Sequence, residues 1–232
     1  MVTNTSIAPW HWTPWHWTDK HPHFPSAYLF PEFQYVARVD PNEDVHLAYL
    51  AGAIRSSSKL ATSDTMSRQL HEIVVFICGH GTRDIRCGIM GPLLKSEFQR
   101  SLTGAGFQLP GAADNVAHSS EILLAKLSRR SCNATVGLVS HIGGHTWAGN
   151  VILYIPPTFT TEKGLSPLAG IGIWYGRVEP KHVEGIVMET ILGGRVIEEL
   201  FRGGIDRKGE TLRLDEDLSD DHDIPVHVKP AS

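Results

Sequence analysis

Residues 73–77, Ile-Val-Val-Phe-Ile, form a continuous apolar run with no polar alternation, which predicts a central strand covered on both faces. Shorter β-rich runs at 135–140, 150–155 and 171–178 predict three more strands. A further strand is expected over 33–39, where the Asp40-Pro41-Asn42 turn signal ends it, and a short one over 2–7. Helical spacing appears in four places. Leu94, Phe98 and Leu102 make an i, i+4 ridge, so a helix is expected from about Pro92 to just before Gly104. Residues 120–130 open with Glu121 and close on Arg129 and Arg130, matching the helix dipole at both ends. Asn42 can cap a helix over 42–55 with Glu43 and Asp44 in its first turn. From Pro180, suited to a first helical position, a helix buries Val183, Val187 and Ile191 and stops at Gly193-Gly194. A short piece over 195–201 ends at Gly203-Gly204.

The order β-α-β, then helix, strands and a closing helix, describes an α/β domain over residues 26–204, with a central mixed sheet flanked by helices. Before it, residues 1–25 hold the short strand and a loop in which Pro-Trp-His-Trp-Thr occurs twice. That tract is low in complexity and reads as irregular chain. After it, residues 205–232 are polar and acidic and read as a disordered tail.

A formal charge of −4 removes nucleic acid and anionic membranes as main partners, because both demand a basic surface. No apolar run reaches the roughly 18 residues of a spanning helix. The N-terminus lacks the basic and apolar regions of a secretory signal, and no arginine precedes Arg38, so a cytoplasmic location is expected; a longer native N-terminus would make it mitochondrial. Three cysteines, Cys78, Cys87 and Cys132, are too few and too odd in number for a disulfide framework and fit a reducing compartment. Cys132 reads as a buried thiol.

Two of these cysteines belong to the chemistry-bearing part of the chain. The strand at 73–77 runs into Cys-Gly-His-Gly-Thr-Arg-Asp-Ile-Arg-Cys, a C-x8-C loop from Cys78 to Cys87. By itself the pair has three readings: buried free thiols, a redox dithiol, or half of a metal site. Downstream, residues 140–150 read Ser-His-Ile-Gly-Gly-His-Thr-Trp-Ala-Gly-Asn and set His141 and His145 around a glycine pair. Glycines 143 and 144 disfavour a helix by about 1 kcal/mol each, so the histidines are expected on a turn between two strands, with Trp147 packed beneath. Neutral imidazole is a common metal ligand, although a lone H-x3-H reads more readily as a solvated polar hairpin.

The coincidence of the two pairs decides the weighting. Two thiolates and two imidazoles suit tetrahedral zinc or, shared over two irons, a [2Fe-2S] cluster of mixed coordination. The eight-residue gap is wider than a zinc knuckle and favours the larger object, and glycine N–H groups could donate to its sulfides. His80 has no matching partner and reads as a surface or outer-shell residue, and Asp84 with Arg86 as a local ion pair. A thiol-disulfide oxidoreductase would use C-x-x-C rather than this spacing. A zinc-stabilised interaction module is the other alternative.

GHGTRDIRCGIMGP, SHIGGHTWAGNVILYIP and WYGRVEPKHVEGIVMETILGGRVIEELFRGG together closely resemble the sucrase/ferredoxin-like family, over about residues 1–204. The resemblance implies a thioredoxin-like ferredoxin fold. It also implies that Cys78, Cys87, His141 and His145 bind a [2Fe-2S] cluster serving single-electron transfer with a protein redox partner, a reductase or an acceptor. No well-placed carboxylate pair supports the sucrose cleavage in the family name.

Overall fold

The computed structural model describes residues 26–36, 67–110, 133–140 and 142–213; for Ser67 and His145 it describes the backbone alone. The expected strand at 2–7, the Trp-rich repeat, the helices at 42–55 and 120–130, Cys132 and His141 lie outside the described residues.

A six-stranded sheet organises the chain. Its strands are β4 (Ile73–Cys78), β5 (Ala134–Val139), β6 (Val151–Tyr154), β9 (Gly172–Tyr175), β10 (Phe201–Ile205) and β11 (Thr211–Leu212), in the order β11-β10-β9-β6-β4-β5. All six residues of β4 are buried, as its unbroken apolar run requires. It pairs in parallel with β5 on one side and antiparallel with β6 on the other. Helix α1 (Ile85–Gly104) connects β4 towards β5 and buries Leu94, Phe98 and Leu102, the predicted ridge. Helix α2 (Pro180–Gly185) follows β9 and continues as a wider π-type turn over Ile186–Leu192, burying Val183, Val187 and Ile191. A β-α-β unit followed by β-β-α, with the four strands side by side in the order β5-β4-β6-β9, is the thioredoxin-like arrangement.

The opposite face of the sheet meets a small antiparallel sheet of β1 (Ala27–Leu29), β2 (Gln34–Val36) and β3 (Ser67–Gln69). Phe30 stacks on Tyr154 with ring centroids 3.5 Å apart, and Tyr28 meets Phe76 edge to face. β1 and β3 carry no alternation long enough to be seen in sequence. A two-stranded hairpin, β7 (Thr160–Thr161) with β8 (Gly164–Leu165), occupies the connection before β9.

Three expectations are corrected. Helix α1 begins at Ile85, seven residues before Pro92, because Asp84 caps it by accepting from the Arg86 N–H at 2.9 Å. Pro92 therefore lies inside the helix. The Gly203-Gly204 pair does not end structure but sits within β10; Gly204 allows an approach in which an added Cβ would stand 2.7 Å from the Gly172 carbonyl oxygen. The ladder continues through β11, so Ile205, Thr211 and Leu212 of the expected tail belong to the sheet.

Candidate metal centre

The geometry begins at the carboxyl end of β4. Cys78 closes that strand with 1% exposure, and its N–H donates to the Asn150 carbonyl at 3.0 Å. The next N–H, of Gly79, donates to the Val139 carbonyl at 3.0 Å. Val139 ends β5 and Asn150 precedes β6, so the two ends of the His loop are fastened on either side of the first cysteine. Because β4 lies between β5 and β6, the segment over 140–150 is no hairpin turn. It crosses over the end of the strand that delivers Cys78, a placement that strand prediction could not reveal.

Cys87 arrives from the helix. The chain turns through Gly79 to Asp84, with the Arg83 and Asp84 N–H groups both donating to the His80 carbonyl at 3.2 and 3.1 Å, and Thr82 Oγ1 lies 3.0 Å from His80 Nε2. Asp84 then caps α1 and pairs with Arg86 through both guanidinium contacts, at 3.1 and 2.7 Å, which is the expected local ion pair. Cys87 therefore stands in the first turn of α1, not on free loop. Two glycines of α1 press that turn against the β4 end. A Cβ on Gly88 would be 2.6 Å from the Gly81 Cα, and one on Gly91 would be 2.8 Å from both the Cys78 carbonyl oxygen and the Gly79 Cα. Only glycine permits that approach.

The result is a buried thiol pair. Both cysteines are free, Cys87 is also 1% exposed, and the two side chains are hydrogen-bonded to each other. Burial pushes the Cys87 thiol up to about 11, helped by its hydrogen bond to Cys78 and the proximity of that second thiolate. A thiol placed as Cys87 is makes a poor free nucleophile, and a cation would have to displace its proton to bind it.

On the histidine side, Ile142 is 3% exposed and packs in one apolar cluster with Cys78, Cys87, Val139 and Ile152, so the residue beside His141 is anchored against the thiols. Gly143 adopts φ 69° and faces the Asn150 side chain, whose Oδ1 would lie 2.6 Å from an added Cβ. Asn150 Nδ2 in turn reaches the Gly144 carbonyl at 3.5 Å. A single 3-10 turn, His145–Trp147, follows, its last N–H donating to the Gly144 carbonyl at 3.0 Å. Gly149, at φ 92°, lies against Val178, whose N–H donates back to it at 3.1 Å. The sequence singled out the histidines and glycines of this loop but missed Asn150, the buried amide that holds it shut. A lone polar residue at the mouth of a strand was the only available signal.

Among the described residues no group of three or more His, Cys, Asp or Glu side chains gathers in metal-binding fashion, and those residues exclude His141 and the His145 side chain. The donor set still suits a thiophilic metal group. Two adjacent buried thiols form one half, and a loop bearing two imidazoles is secured over them at both ends and at Ile142. No helix among the described residues is long and apolar enough to cross a membrane.

The family model described as sucrase/ferredoxin-like matches residues 1–203. The chain is 38% identical over 176 residues to altered inheritance of mitochondria protein 32 of Clavispora lusitaniae, a match covering 75% of this chain and 51% of that protein. To the protein of the same name from Debaryomyces hansenii it is 37% identical over 142 residues, covering 61% of this chain and 39% of that protein. The chain thus spans about half, or less, of the length of these relatives. Among solved structures, the thioredoxin-like [2Fe-2S] ferredoxin from Aquifex aeolicus aligns over 56% of this chain and 90% of its own, at 13% identity and a TM-score of 0.32.

Proposed function

Because the chain belongs to the sucrase/ferredoxin-like family, and because its His loop is fastened at both ends to the backbone around Cys78, we propose that Cys78, Cys87, His141 and His145 hold a [2Fe-2S] cluster and that the protein carries single electrons. The observation that supports this reading most is the pair of hydrogen bonds from Cys78 and Gly79 to Asn150 and Val139. They bring two loops, 53 residues apart in sequence, to the carboxyl end of β4.

Bound there, such a cluster supplies one-electron uptake and release. The cysteines serve as thiolates, and since the Cys87 thiol is held up to about 11, binding releases protons and weakens as pH falls. Gly88 and Gly91 keep the two thiols at one spacing by letting α1 press on the β4 end. The imidazoles bind neutral and each retains a second nitrogen that can carry a proton, so electron uptake is coupled to protonation at the histidines. Replacing two anionic ligands by neutral ones raises the potential above the roughly −400 mV of plant-type ferredoxins. Two free cysteines are in keeping with a reducing compartment.

The test is anaerobic purification followed by iron and sulfide analysis and a visible spectrum. Red-brown protein with two irons and two sulfides supports the assignment. His141→Cys and His145→Cys should stay coloured at a lower potential, and Cys78→Ala should be colourless. Wild-type protein that is colourless after anaerobic iron loading sinks the reading in favour of zinc or a dithiol. A potential that stays flat from about pH 6 to 10 removes histidine from the ligand set.

A further inference from the structure

The turn that begins at His145 ends on Trp147, and two cations sit over that indole. The Arg202 guanidinium carbon lies 3.4 Å from the ring centroid and that of Arg177 4.2 Å, both well inside the range of cation–π attraction. They reach it from different elements. Arg202 projects from β10, whereas Arg177 follows β9 and donates its N–H to the Trp147 carbonyl at 3.4 Å. Gly176 makes the convergence possible, since a Cβ there would be 3.1 Å from Arg202 Cγ and 3.2 Å from Trp147 Cβ.

This arrangement is costly in two respects. Arg177 holds φ at 58°, a left-handed conformation that is disfavoured for a non-glycine residue. The two guanidiniums also repel each other: Arg202 is depressed below its ordinary range, first by burial and then by the charge of Arg177. Among the described residues the ion pairs join an arginine or lysine to a carboxylate, as in Arg68–Glu72, Arg86–Asp84, Arg100–Glu97, Lys181–Glu179 and Arg195–Glu189, and neither Arg177 nor Arg202 takes part in one. A strained backbone that holds two like charges together on an exposed surface, in a chain of net charge −4, leaves a concentrated positive spot for a ligand of opposite sign.

We propose that Arg177 and Arg202, held over Trp147 beside the His145 turn, form the docking surface for an acidic electron-transfer protein, whose carboxylates seat on the two guanidiniums. The identity of the partner as a redox protein rests on the electron-carrier reading, while the acidic chemistry rests on the arginine pair alone. Paired charges at such a rim act chiefly on encounter, steering the partner to the histidine edge of the site and weakening steeply with salt.

The test has two arms. In the first, a fluorescently labelled hexaglutamate peptide is titrated at low salt with the full chain, with Arg177→Glu/Arg202→Glu, and with Lys163→Glu on the β7–β8 hairpin as a charge control. The arginine variant should lose about tenfold or more in affinity and the lysine variant little. If the double reversal does not fold, Arg177→Asn/Arg202→Gln replaces it, because asparagine accepts the left-handed backbone. In the second arm, iron-loaded, reduced protein is mixed with ferricyanide, which takes one electron to become ferrocyanide, and separately with the cationic one-electron oxidant hexaamminecobalt(III). The reversal should slow the anionic oxidant and speed the cationic one while the visible spectrum stays unchanged.

Equal peptide binding by wild type and both arginine variants overturns the inference and leaves the cluster assignment to its own spectrum. Colourless protein that still binds peptide through these arginines overturns the redox identity of the partner. Peptide binding that appears only after neutralising Asp215, Glu216 and Asp217 also overturns it, because the chain's own acidic segment then occupies the spot.

Discussion

The two halves of the candidate centre are built by opposite means. Cys78 and Cys87 stand on regular elements, the end of a fully buried strand and the first turn of a helix, and backbone contacts at Gly88 and Gly91 set their separation. The His loop has little regular structure beyond one 3-10 turn and is held by anchors: Val139 and Asn150 at its ends, Ile142 beneath, and Val178 against Gly149. The thiol half is shielded from water, whereas Gly143 and Gly144 of the His loop are exposed. The buried thiols and the exposed glycines thus put the two halves on opposite sides of the boundary with solvent.

Breaking the thiol half should have the larger effect. Cys87→Ala removes one thiol of the rigid side, and iron-loaded protein should lose its visible absorption entirely; a variant of undiminished colour would show that Cys87 does not bind the metal group. Gly88→Ala drives a methyl to 2.6 Å from the Gly81 Cα, where only backbone can yield. It should destabilise the fold by about 1–3 kcal/mol, read as a fall in Tm, and reduce iron content at the same time.

The His half should respond more mildly. Asn150→Ala leaves the β4 to loop backbone bonds in place but deletes the amide that faces Gly143 and reaches Gly144. A loss of about 1 kcal/mol is expected, with cluster retention falling faster than Tm, because the anchor matters to the loop more than to the sheet. A Tm loss as large as that of Gly88→Ala would mean that the loop is part of the core.

The remaining test is a matter of pH and leaves the sequence unchanged. In cluster-free protein, the thiolate at Cys87 forms only as pH nears about 11, so its alkylation rate should keep climbing beyond the ordinary thiol value of 9.0. The sign for stability follows. Between about 9 and 11 the folded chain retains a proton that the unfolded chain has released, so stability declines across that window and levels off above it. Denaturant melts at pH 8.5 and 10.5 check this, and equal midpoints would show that burial does not raise that thiol.

Much of this was legible in the residues. The unbroken apolar run of β4, the Leu94, Phe98 and Leu102 ridge of α1 and the Pro180 start of α2 are local patterns that each predicted their element. The start of α1 was not, because glycines and Pro92 mask a helix whose first turn depends on the Asp84 cap. The strand character of Gly203-Gly204 was hidden for a related reason: glycine reads as a breaker in sequence, yet here it admits the neighbouring strand. Of the β1-β2-β3 sheet only β2, inside the strand expected over 33–39, was visible; β1 and β3 were not, because strands of three residues show no period.

Residue type and spacing alone determined which side chains could do the chemistry, since a thiol or an imidazole keeps its donor character wherever the chain puts it. What only the tertiary structure decided is their neighbourhood. Strand β4 inserts between β5 and β6, and that non-local pairing carries the His loop across the Cys78 end. The convergence of Arg177 and Arg202 on Trp147 has the same origin, because it depends on β9 and β10 lying side by side. Contacts between distant segments are set by which faces must be buried together, and no window of sequence contains both partners.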